Sequence, residues 1–391
     1  MTTERSQLAA SATNYDISPE LKEIEALTRS IAEREFRPHA LEWEESDKFP
    51  ARNLRLLADQ GLLGATVPEE FGGGGGSWLE AAVILEQLGR CCYTTAMAAL
   101  GELGVQTQAV AQYGTQAQKL KYLPAIARGE LMCSICITEP DSGSDIGAMT
   151  TEGIDDGEFL IINGTKAFIS RADVSGLFLV YIRFPSDTGK RPIGAVLVER
   201  GTPGLTIGLG HKTLGGENLF DLHFEQCRVP TTNVLVRSDG FKKMLTAFNG
   251  QRCLNAAISV GIAQGAQDEA LRYVQERSQG GQLLARYQGI QWMLADNAIK
   301  IEGARLLVRR AAARAAHSFP TRYESAIAKT AANEMALTVT DSVMQIFGGH
   351  GYLKELPPER YLRWARYGPL GGGTPQIQRN GIAHELLHSL I

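Results

Sequence analysis

The spacing of apolar residues changes twice along this chain of 391 residues, and that change constrains the fold more than any other feature. Residues 1–130 and 236–391 carry apolar side chains at the intervals of an amphipathic helix. Between them, residues 131–235 alternate with a period of two and are interrupted by turn residues, as short strands are. No helix-length segment separates these strands, so we expect antiparallel pairing without parallel crossovers. The sequence thus predicts an α+β protein with an N-terminal helical bundle, a central antiparallel β domain and a C-terminal four-helix bundle.

Finer patterns predict individual elements within the three parts. Ser18 and Pro19 supply an N-cap followed by a proline at the first helical position, so a helix should begin there and end near Arg37 and Pro38. Further helices are expected at 51–62, 77–95, 95–113, 115–128, 240–277, 286–318, 323–347 and 374–390. Strands are expected at 132–138, 159–162, 177–183, 194–198, 205–207 and 221–224.

Composition and charge narrow the classes of function. With 44% hydrophobic and 21% charged residues, the chain has the composition of an ordinary globular protein. Its net charge is −4 and it lacks the basic runs that neutralise a phosphate backbone, so we expect no nucleic-acid partner. No stretch approaches the roughly 18 apolar residues of a membrane span, and no export signal is visible. We therefore expect a cytoplasmic protein without membrane segments.

The cysteines indicate neither disulfides nor a metal site. All six lie in apolar surroundings, so we expect reduced and mostly buried thiols. Cys133 and Cys136 form a C-x-x-C pair, but no second pair of ligands follows at the spacing that a zinc site needs. The sequence therefore predicts no metal.

One segment of the β domain carries a more specific pattern. Residues 136–145 read Cys-Ile-Thr-Glu-Pro-Asp-Ser-Gly-Ser-Asp, which resembles the flavin-binding loop of the acyl-CoA dehydrogenase family. Further motifs that resemble this family, in its own order and spacing, lie at 166–170, 224–230, 277–289, 345–352 and 373–379. The three-part architecture agrees independently, so the chain is identified as a member of this superfamily. Fold alone does not determine the chemistry.

The resemblance implies an FAD site, and the residue types suit one. A flavin that accepts a hydride gains negative charge, so its site favours hydrogen-bond donors along one edge and an apolar face. The residues implied at this edge and face are Thr138, Ser144, Ser170 and Phe168. For the pyrophosphate and adenosine parts, the resemblance implies Arg277, Gln288, Gln345, Gly349, Thr374 and Gln376.

The resemblance also implies partners. Arg277, Gln288 and Gln345 correspond to residues that complete the FAD site of a neighbouring subunit, so a homotetramer, or at least a homodimer, is expected. Acyl-CoA is the expected substrate, a carrier-protein thioester is second, and an electron-transfer flavoprotein is a candidate partner. One departure is Gly280, which stands where the family has an aromatic residue, and we expect that contact to be lost.

The catalytic base is the main departure from the family. Members commonly take the α-proton of the substrate with a glutamate, either before the Gly-Thr of the C-terminal motif or before an arginine on a helix of the second bundle. Here Gly372 occupies the first position, and Gln251, before Arg252, occupies the second. A neutral amide can hydrogen-bond a substrate, but it cannot take a proton from carbon at neutral pH. Neither position supplies a base.

Three hypotheses follow. The first is an FAD-dependent oxidoreductase that dehydrogenates an acyl thioester with a base elsewhere. The second is a reaction without α-proton abstraction, such as elimination, because the chain resembles the 3-sulfinopropionyl-CoA desulfinases in having Gln and Gly at the two positions. The third is a catalytically silent subunit. The candidate substrate contacts are Gln251, Arg252 and Arg171, and Arg171 is either a cation for an anionic acyl tail or a surface arginine.

Overall fold

The computed structural model describes residues 17–46, 48–185, 192–237, 240–315 and 318–388, and it confirms the order of helices, sheet and helices. The N-terminal helices are α1 (Pro19–Ile31), α2 (Ala40–Glu45), α3 (Ala51–Asp59), α4 (Trp78–Cys91), α5 (Tyr93–Leu103), α6 (Val105–Tyr113) and α7 (Gln116–Ala127).

The first helix begins where the sequence predicts and ends elsewhere. Ser18 Oγ accepts a hydrogen bond of 3.3 Å from a backbone N–H of the first turn, and Pro19 lies at the start of α1. The expected end near Pro38 is wrong, because the chain stays helical through a π turn (Ala32–Phe36) and a 3-10 turn (Arg37–His39) into α2. Pro38 lies in the first turn of the 3-10 segment, where the N–H that it lacks has no helical partner.

Among the described residues, the central region forms one eight-stranded sheet. Its strands are β1 (Cys133–Cys136), β2 (Glu152–Asp156), β3 (Phe159–Ser170), β4 (Leu177–Arg183), β5 (Ile193–Glu199), β6 (Leu205–Lys212), β7 (Asn218–Pro230) and β8 (Val234–Val236). The order is β6-β7-β3-β2-β4-β5-β8, and β1 pairs with β4. The expectation of purely antiparallel pairing is wrong for two pairings, because β1 and one residue of β2 run parallel to β4. The intervening β2–β3 hairpin returns the chain without a crossover helix.

The described part of the third region is helical again. Its elements are α8 (Gly240–Glu276), β9 (Ser278–Gln279), β10 (Gln282–Leu283), α9 (Gln288–Ala315), α10 (Arg322–Phe347), α11 (Pro357–Tyr367) and α12 (Pro375–His388). α8, α9, α10 and α12 correspond to the four predicted helices, whereas α11 is additional. Its buried Tyr361, Trp364 and Ala365 follow helical spacing, so the sequence does contain the signal for it.

α8 packs directly on α4, and glycines make this contact possible. A Cβ on Gly261 of α8 would lie 2.0 Å from the carbonyl oxygen of Glu86, and a Cβ on Gly89 of α4 would lie 2.7 Å from that of Ile258. The two backbones therefore touch, at a separation that no side chain larger than hydrogen permits. As a result, the N-terminal and C-terminal helices share one hydrophobic core.

Buried charges anchor the loop that follows β1. Glu139 Oε1 accepts from Lys166 Nζ of β3 (2.8 Å) and from the N–H of Thr151 (3.0 Å), and Oε2 accepts from the N–H of Thr150 (2.6 Å). Burial disfavours the ionised carboxylate, but the bonds from Lys166 and Thr150 outweigh it and hold the pKa of Glu139 at about 2. This ion pair ties the loop to the sheet.

The cysteines, the possible metal ligands and the apolarity of the helices can be examined in the described residues. All six cysteines are buried and unpaired, as expected. Within the described ranges, no group of histidine, cysteine and carboxylate side chains is arranged to hold a metal ion. None of the described helices combines the length and apolarity that crossing a membrane requires.

The glycine contact between α4 and α8 can be tested by adding one methyl group. Gly261→Ala should lower the free energy of unfolding by about 1–3 kcal/mol, because the new Cβ would overlap the Glu86 carbonyl. The control is Gly303→Ala on α9, because no atom of the surrounding chain lies within 4 Å of the position of a Cβ there. It should raise the free energy of unfolding by up to about 1 kcal/mol. Urea denaturation measures the free energy of unfolding of both variants. An equal change in the two variants would contradict the proposed packing.

The ion pair of Glu139 should control stability in a pH-dependent way. Glu139→Gln should lower the free energy of unfolding by about 3–5 kcal/mol at pH 7, because Lys166 is left buried without its partner. The folded pKa of Glu139, about 2, lies below the ordinary value of 4.5, so this contribution is present above pH 4.5 and is lost as the pH falls towards 2. Parent and variant should therefore converge in urea titrations across that range. Glu130→Gln, in the fully exposed pair with Arg128, should leave the free energy of unfolding nearly unchanged.

Candidate active site

Two of the predicted flavin contacts lie where the loop after β1 meets β3. The N–H of Ala167 donates to the carbonyl of Thr138 (2.8 Å) and so holds Thr138 against β3. At the end of β3, the carbonyl of Ser170 accepts from Ser134 Oγ of β1 (2.6 Å). Thr138 and Ser170 therefore lie on the same stretch, where the chain from β1 to Thr138 runs beside the end of β3, and both are half-buried. Ser144 lies further along the loop and is exposed.

Phe168 projects from an irregularity in β3. The register with β7 shifts between Lys166 and Ile169, and Phe168 has a φ of 59°, in the left-handed region. A bulky residue keeps this conformation only where its surroundings impose it, which is common at functional sites. Its side chain is 60% exposed. An uncovered aromatic ring on this strand, between Ala167, which holds Thr138, and Ser170, suits the flat ring of a flavin.

Arg171 is the first residue after β3, and its side chain points into the protein. Its side chain is 8% exposed, and Nη1 lies 2.6 Å from Oε2 of Glu102, a fully buried residue of α5. The guanidinium also donates to the carbonyls of Ala98 and Cys133, each at 2.7 Å. The hypothesis that Arg171 is a surface arginine is therefore wrong. Its charge is already paired inside the chain, which weakens the hypothesis that it binds an anionic acyl tail.

A small cavity lies beside this ion pair, between α5, β3 and the start of β7. Its lining includes Thr94, Met97, Ser170, Arg171 and Glu217. Oγ1 of Thr94 and Oε2 of Glu217 are buried and have no hydrogen-bond partner among the described residues. Burial raises the pKa of Glu217 to about 7. Since the cavity borders Ser170, it offers space for part of a substrate next to the predicted flavin edge.

The two positions where the family places its base lie close together. Gln251 Oε1 lies 3.5 Å from the N–H of Val105, at the start of α6, and 2.7 Å from the position of a Cβ on Gly104. The next residue, Arg252, directs Nε to the carbonyl of Gly372, 3.5 Å away. The structure therefore brings Gln251, Arg252 and Gly372 into one site.

The backbone at Gly372 has a conformation that favours glycine. Gly372 and the following Gly373 have φ angles of 74° and 91°. The carbonyl of Gly372 is held by Gln378 Nε2 at 3.3 Å as well as by Arg252. A left-handed backbone costs an ordinary residue about 1–2 kcal/mol. A glutamate at position 372 would therefore be strained, whereas one at position 251, inside α8, would not.

The sequence pattern does not single out Lys329, which lies against the same segment. This residue of α10 is fully buried, and its Nζ donates to the carbonyl of Gly368 (2.8 Å). Its Cε lies 3.4 Å from the position of a Cβ on Gly372. Burial, together with the positive charge of Arg252, lowers the pKa of Lys329 to about 7. The signal in the sequence is a lysine among the alanines of 326–332, on a face of the helix that must be buried.

The last two predicted cofactor residues begin α12. The N–H of Gln378 donates to the carbonyl of Thr374 (2.9 Å), and Thr374 Oγ1 lies 3.4 Å from the N–H of Ile377. Thr374 therefore caps the helix. Gln376 lies in the first turn and is exposed. The partial positive charge of this helix end suits a phosphate group.

The remaining predicted cofactor residues lie at the far end of α8. Tyr273, one turn before Arg277, stacks on Phe347 at the end of α10, with ring centroids 3.9 Å apart. Arg277 has no ion-pair partner in the described part of the chain, so its charge is available to an anion. The exposed members of this group are Gln288 at the start of α9, Gln345 at the end of α10, and Gly349 just after it.

The glycine that departs from the family pattern serves the hairpin turn. Gly280 and Gly281 join β9 to β10 with φ angles of 55° and 81°, both in the left-handed region that such two-residue turns require. A Cβ on Gly280 would lie 2.6 Å from Tyr287 Oη, which donates to the carbonyl of Gln279 (2.7 Å). Tyr287 therefore provides an aromatic ring beside the position where the family has one.

The predicted site residues thus form two groups that are far apart in one chain. α5 links Ser170 to Gln251, because a Cβ on Gly101 would touch Arg171 and one on Gly104 would touch Gln251. Arg277 follows α8, and at about 1.5 Å per residue it lies roughly 39 Å along the helix axis from Gln251. Within one chain, the residues predicted for the flavin edge and the two base positions therefore lie in one region. Arg277, at the far end of α8, lies outside it.

Comparison with protein families covers nearly the whole chain. Three models match in order: the N-terminal domain of acyl-CoA dehydrogenase at residues 18–130, the middle domain at 134–227 and the C-terminal domain at 238–387. The matches follow the three structural parts.

Individual relatives agree with the family models. The chain is 38% identical to the acryloyl-CoA reductase (NADH) of Anaerotignum propionicum, over 96% of each chain, and 35% identical to the 3-sulfinopropanoyl-CoA desulfinase of Variovorax paradoxus, over 95% and 96%. The structure of butyryl-CoA dehydrogenase from Megasphaera elsdenii superposes with a TM-score of 0.92 at 29% identity, covering 96% of this chain and all of that one (100%). The chain belongs to the acyl-CoA dehydrogenase family of FAD-dependent enzymes.

Proposed function

We propose that this enzyme dehydrogenates an acyl thioester, carried by coenzyme A or by a carrier protein, between its α- and β-carbons. The observation that supports the proposal is the uncovered ring of Phe168 on the strand that ends at Ser170, together with α5, which contacts Arg171 directly after that strand and leads to Gly104 beside Gln251. When bound, FAD supplies the acceptor for the hydride that leaves the β-carbon. The chain supplies the hydrogen-bond donors, the positioning of the thioester and the base.

The flavin edge would be held by the first group of residues. The hydroxyls of Thr138, Ser144 and Ser170 are donors for the polar edge of the ring, and Phe168 covers one face. The loop that carries Thr138 cannot move away easily, because the buried Glu139 ties it to β3. Preorganised donors of this kind stabilise the negative charge that develops during hydride transfer.

The thioester would lie between α5 and α8. Gln251 Oε1 is taken by the N–H of Val105, so its Nε2 remains a donor for the thioester carbonyl. A hydrogen bond to that carbonyl makes the α-carbon more acidic. Arg252 holds the Gly372 carbonyl and so fixes the glycine segment on the opposite side. The acyl group would then extend towards the cavity beside Met97.

Elimination from an acyl-CoA is the second candidate. It is favoured by Gln251 and Gly372, which leave both base positions without a carboxylate, and by the 35% identity to a desulfinase. The pairing of Arg171 with Glu102 counts against it, because this guanidinium is already paired inside the chain, although Lys48 also lines the cavity. We therefore place it second.

Self-association is part of the proposal. The residues proposed for the pyrophosphate, Arg277 with Gln288 and Gln345, lie farther from Gln251 than one flavin dinucleotide extends. They would therefore complete the FAD site of another copy, in a homodimer or homotetramer. α9 carries a face suited to such contact: Trp292, Ile299 and Leu306, spaced by seven residues, are 62%, 71% and 43% exposed.

A substrate panel tests the reaction. The FAD-loaded protein is mixed anaerobically with butyryl-, isovaleryl-, octanoyl- and 3-sulfinopropionyl-CoA, and flavin bleaching is followed together with product mass. We expect at least one saturated thioester to bleach the flavin and lose two hydrogens. Protein that is inert to the three saturated thioesters but desulfinates the fourth would overturn dehydrogenation in favour of elimination.

The assembly is tested by charging the α9 face. Ile299→Glu should dissociate the protein and lower its FAD content at least tenfold, because the Arg277 group of the neighbour is removed. Leu120→Glu, at an exposed leucine of α7, is the matched control and should change neither the oligomeric state nor the FAD content. Light scattering and flavin absorbance give both quantities. A parent protein that is monomeric and saturated with FAD would contradict the shared site.

A further inference from the structure

We propose that Lys329 is the residue that takes the α-proton of the substrate in this enzyme. The proposal rests on the proposed dehydrogenation and identifies the base that Gly372 and Gln251 do not supply.

The position of Lys329 is the first argument. Its Cε lies 3.4 Å from the position of a Cβ on Gly372, which is ordinary van der Waals contact, and Phe248 lies 3.9 Å from the same position. The lysine therefore occupies the space beside the point from which a base at 372 would extend. Because Gly372 has no side chain, nothing from that residue stands between the lysine and the thioester site.

The pairing of Lys329 is the second argument. Its Nζ donates to the carbonyl of Gly368, which also accepts from Asn333 Nδ2 (2.7 Å), and no carboxylate pairs with Lys329 among the described residues. Lys166 is equally buried but has Glu139 at 2.8 Å. A buried ammonium without a counter-ion is unfavourable, so the neutral amine, which can accept a proton, is favoured at Lys329.

The surrounding charges act in the same direction. Arg252 of α8 faces Lys329 and repels its charged form, and the pKa of about 7 follows from burial and this repulsion. Arg252 is itself affected by burial and by Arg322 of α10, and its pKa is lowered to about 10. On the side of the α11–α12 connection, the group facing Lys329 is the neutral carbonyl of Gly368. A base of this pKa is well matched to neutral pH.

The proposed step balances in atoms and electrons. The lone pair of the neutral Nζ takes the α-proton, and the electrons of the Cα–H bond form the double bond to Cβ. The β-hydrogen leaves with its electron pair, for which bound FAD would supply the two-electron acceptor, and the acyl group is oxidised by two electrons. The Lys329 ammonium then releases its proton to water before the next turnover.

Two measurements distinguish proton abstraction by the base from the complete dehydrogenation. Flavin bleaching by butyryl-CoA requires the base and the hydride acceptor. Exchange of α-hydrogen for deuterium in phenylacetyl-CoA, followed by mass spectrometry in D₂O, requires the base alone, because this thioester has no hydride to lose from its β-carbon. Each is measured on FAD-loaded protein, with FAD content and melting temperature recorded for every variant.

Lys329→Met retains the length of the side chain and removes the amine. We expect both rates to fall by about 10²–10⁴-fold, and the rise of the parent rate with pH through about 7 to disappear. Lys329→Arg, a cation that cannot give up its proton, should be as slow. Asn333→Ala removes the other hydrogen bond to Gly368 and is the structural control. It should lower the melting temperature, change the rates less than tenfold and keep the pH dependence.

A second variant shows whether Lys329→Met is slow because it lacks a base or because its structure is damaged. Adding Gln251→Glu to Lys329→Met supplies a carboxylate within α8, free of the strain at Gly372. It should restore exchange and bleaching in part, because the amide proposed to donate to the thioester carbonyl is lost, and it should move their pH dependence to lower pH. Restoration shows that the methionine variant lacked only a base.

The outcomes distinguish this proposal from the proposed function. If Lys329→Met bleaches and exchanges as fast as the parent, the lysine is not the base and dehydrogenation stands. If the parent exchanges α-hydrogen in a Lys329-dependent way but no saturated thioester bleaches the flavin, the base is supported and dehydrogenation fails. If the parent shows neither exchange nor bleaching, both are overturned.

Discussion

The direct contact between the backbones of α4 and α8 is the constraint on which the rest of the structure depends. Gly89 and Gly261 allow the two helices to touch, and this contact places α8 against the N-terminal bundle. α8 then carries Gln251 and Arg252 to the glycine segment before α12 and, roughly 39 Å further on, leads to Arg277. One rigid helix therefore sets both the geometry of the proposed thioester site and its separation from the residues proposed for the distant part of the cofactor.

The buried charges of the site divide into two kinds. Glu139 with Lys166, and Glu102 with Arg171, are ion pairs whose partners lie on different elements, and they hold the flavin loop and the end of β3 in place. Lys329 has the same depth of burial as Lys166, but among the described residues its partner is a backbone oxygen. Removing a paired charge damages the fold, whereas an unpaired one can change its protonation state with less effect on shape. This difference makes Lys329 suitable for proton transfer.

Several features of the site could be predicted because they depend on nearby residues. The proposed flavin loop and the two base positions are short patterns of neighbouring residues, whereas the glycine turn at 280–281 is not among the predicted elements. Other features depend on residues far away in sequence, and these predictions failed. The parallel pairing of β1 with β4 needs a partner 44 residues later, at Cys133 and Leu177. Arg171 is buried because Glu102 lies beside it. Glu102 is 69 residues away in sequence, so no local pattern predicts this contact.

The sequence alone determined the three-part α+β architecture, the family and the absence of a glutamate at Gly372 and Gln251, because periodicity and short motifs are local properties of the chain. Only the tertiary structure decided which charges are paired. It placed Glu102 against Arg171, brought Lys329 of α10 to Gly372, and left Arg277 far from Gln251. The protonation of a buried group depends on its neighbours in space, and packing between helices distant in sequence supplies those neighbours.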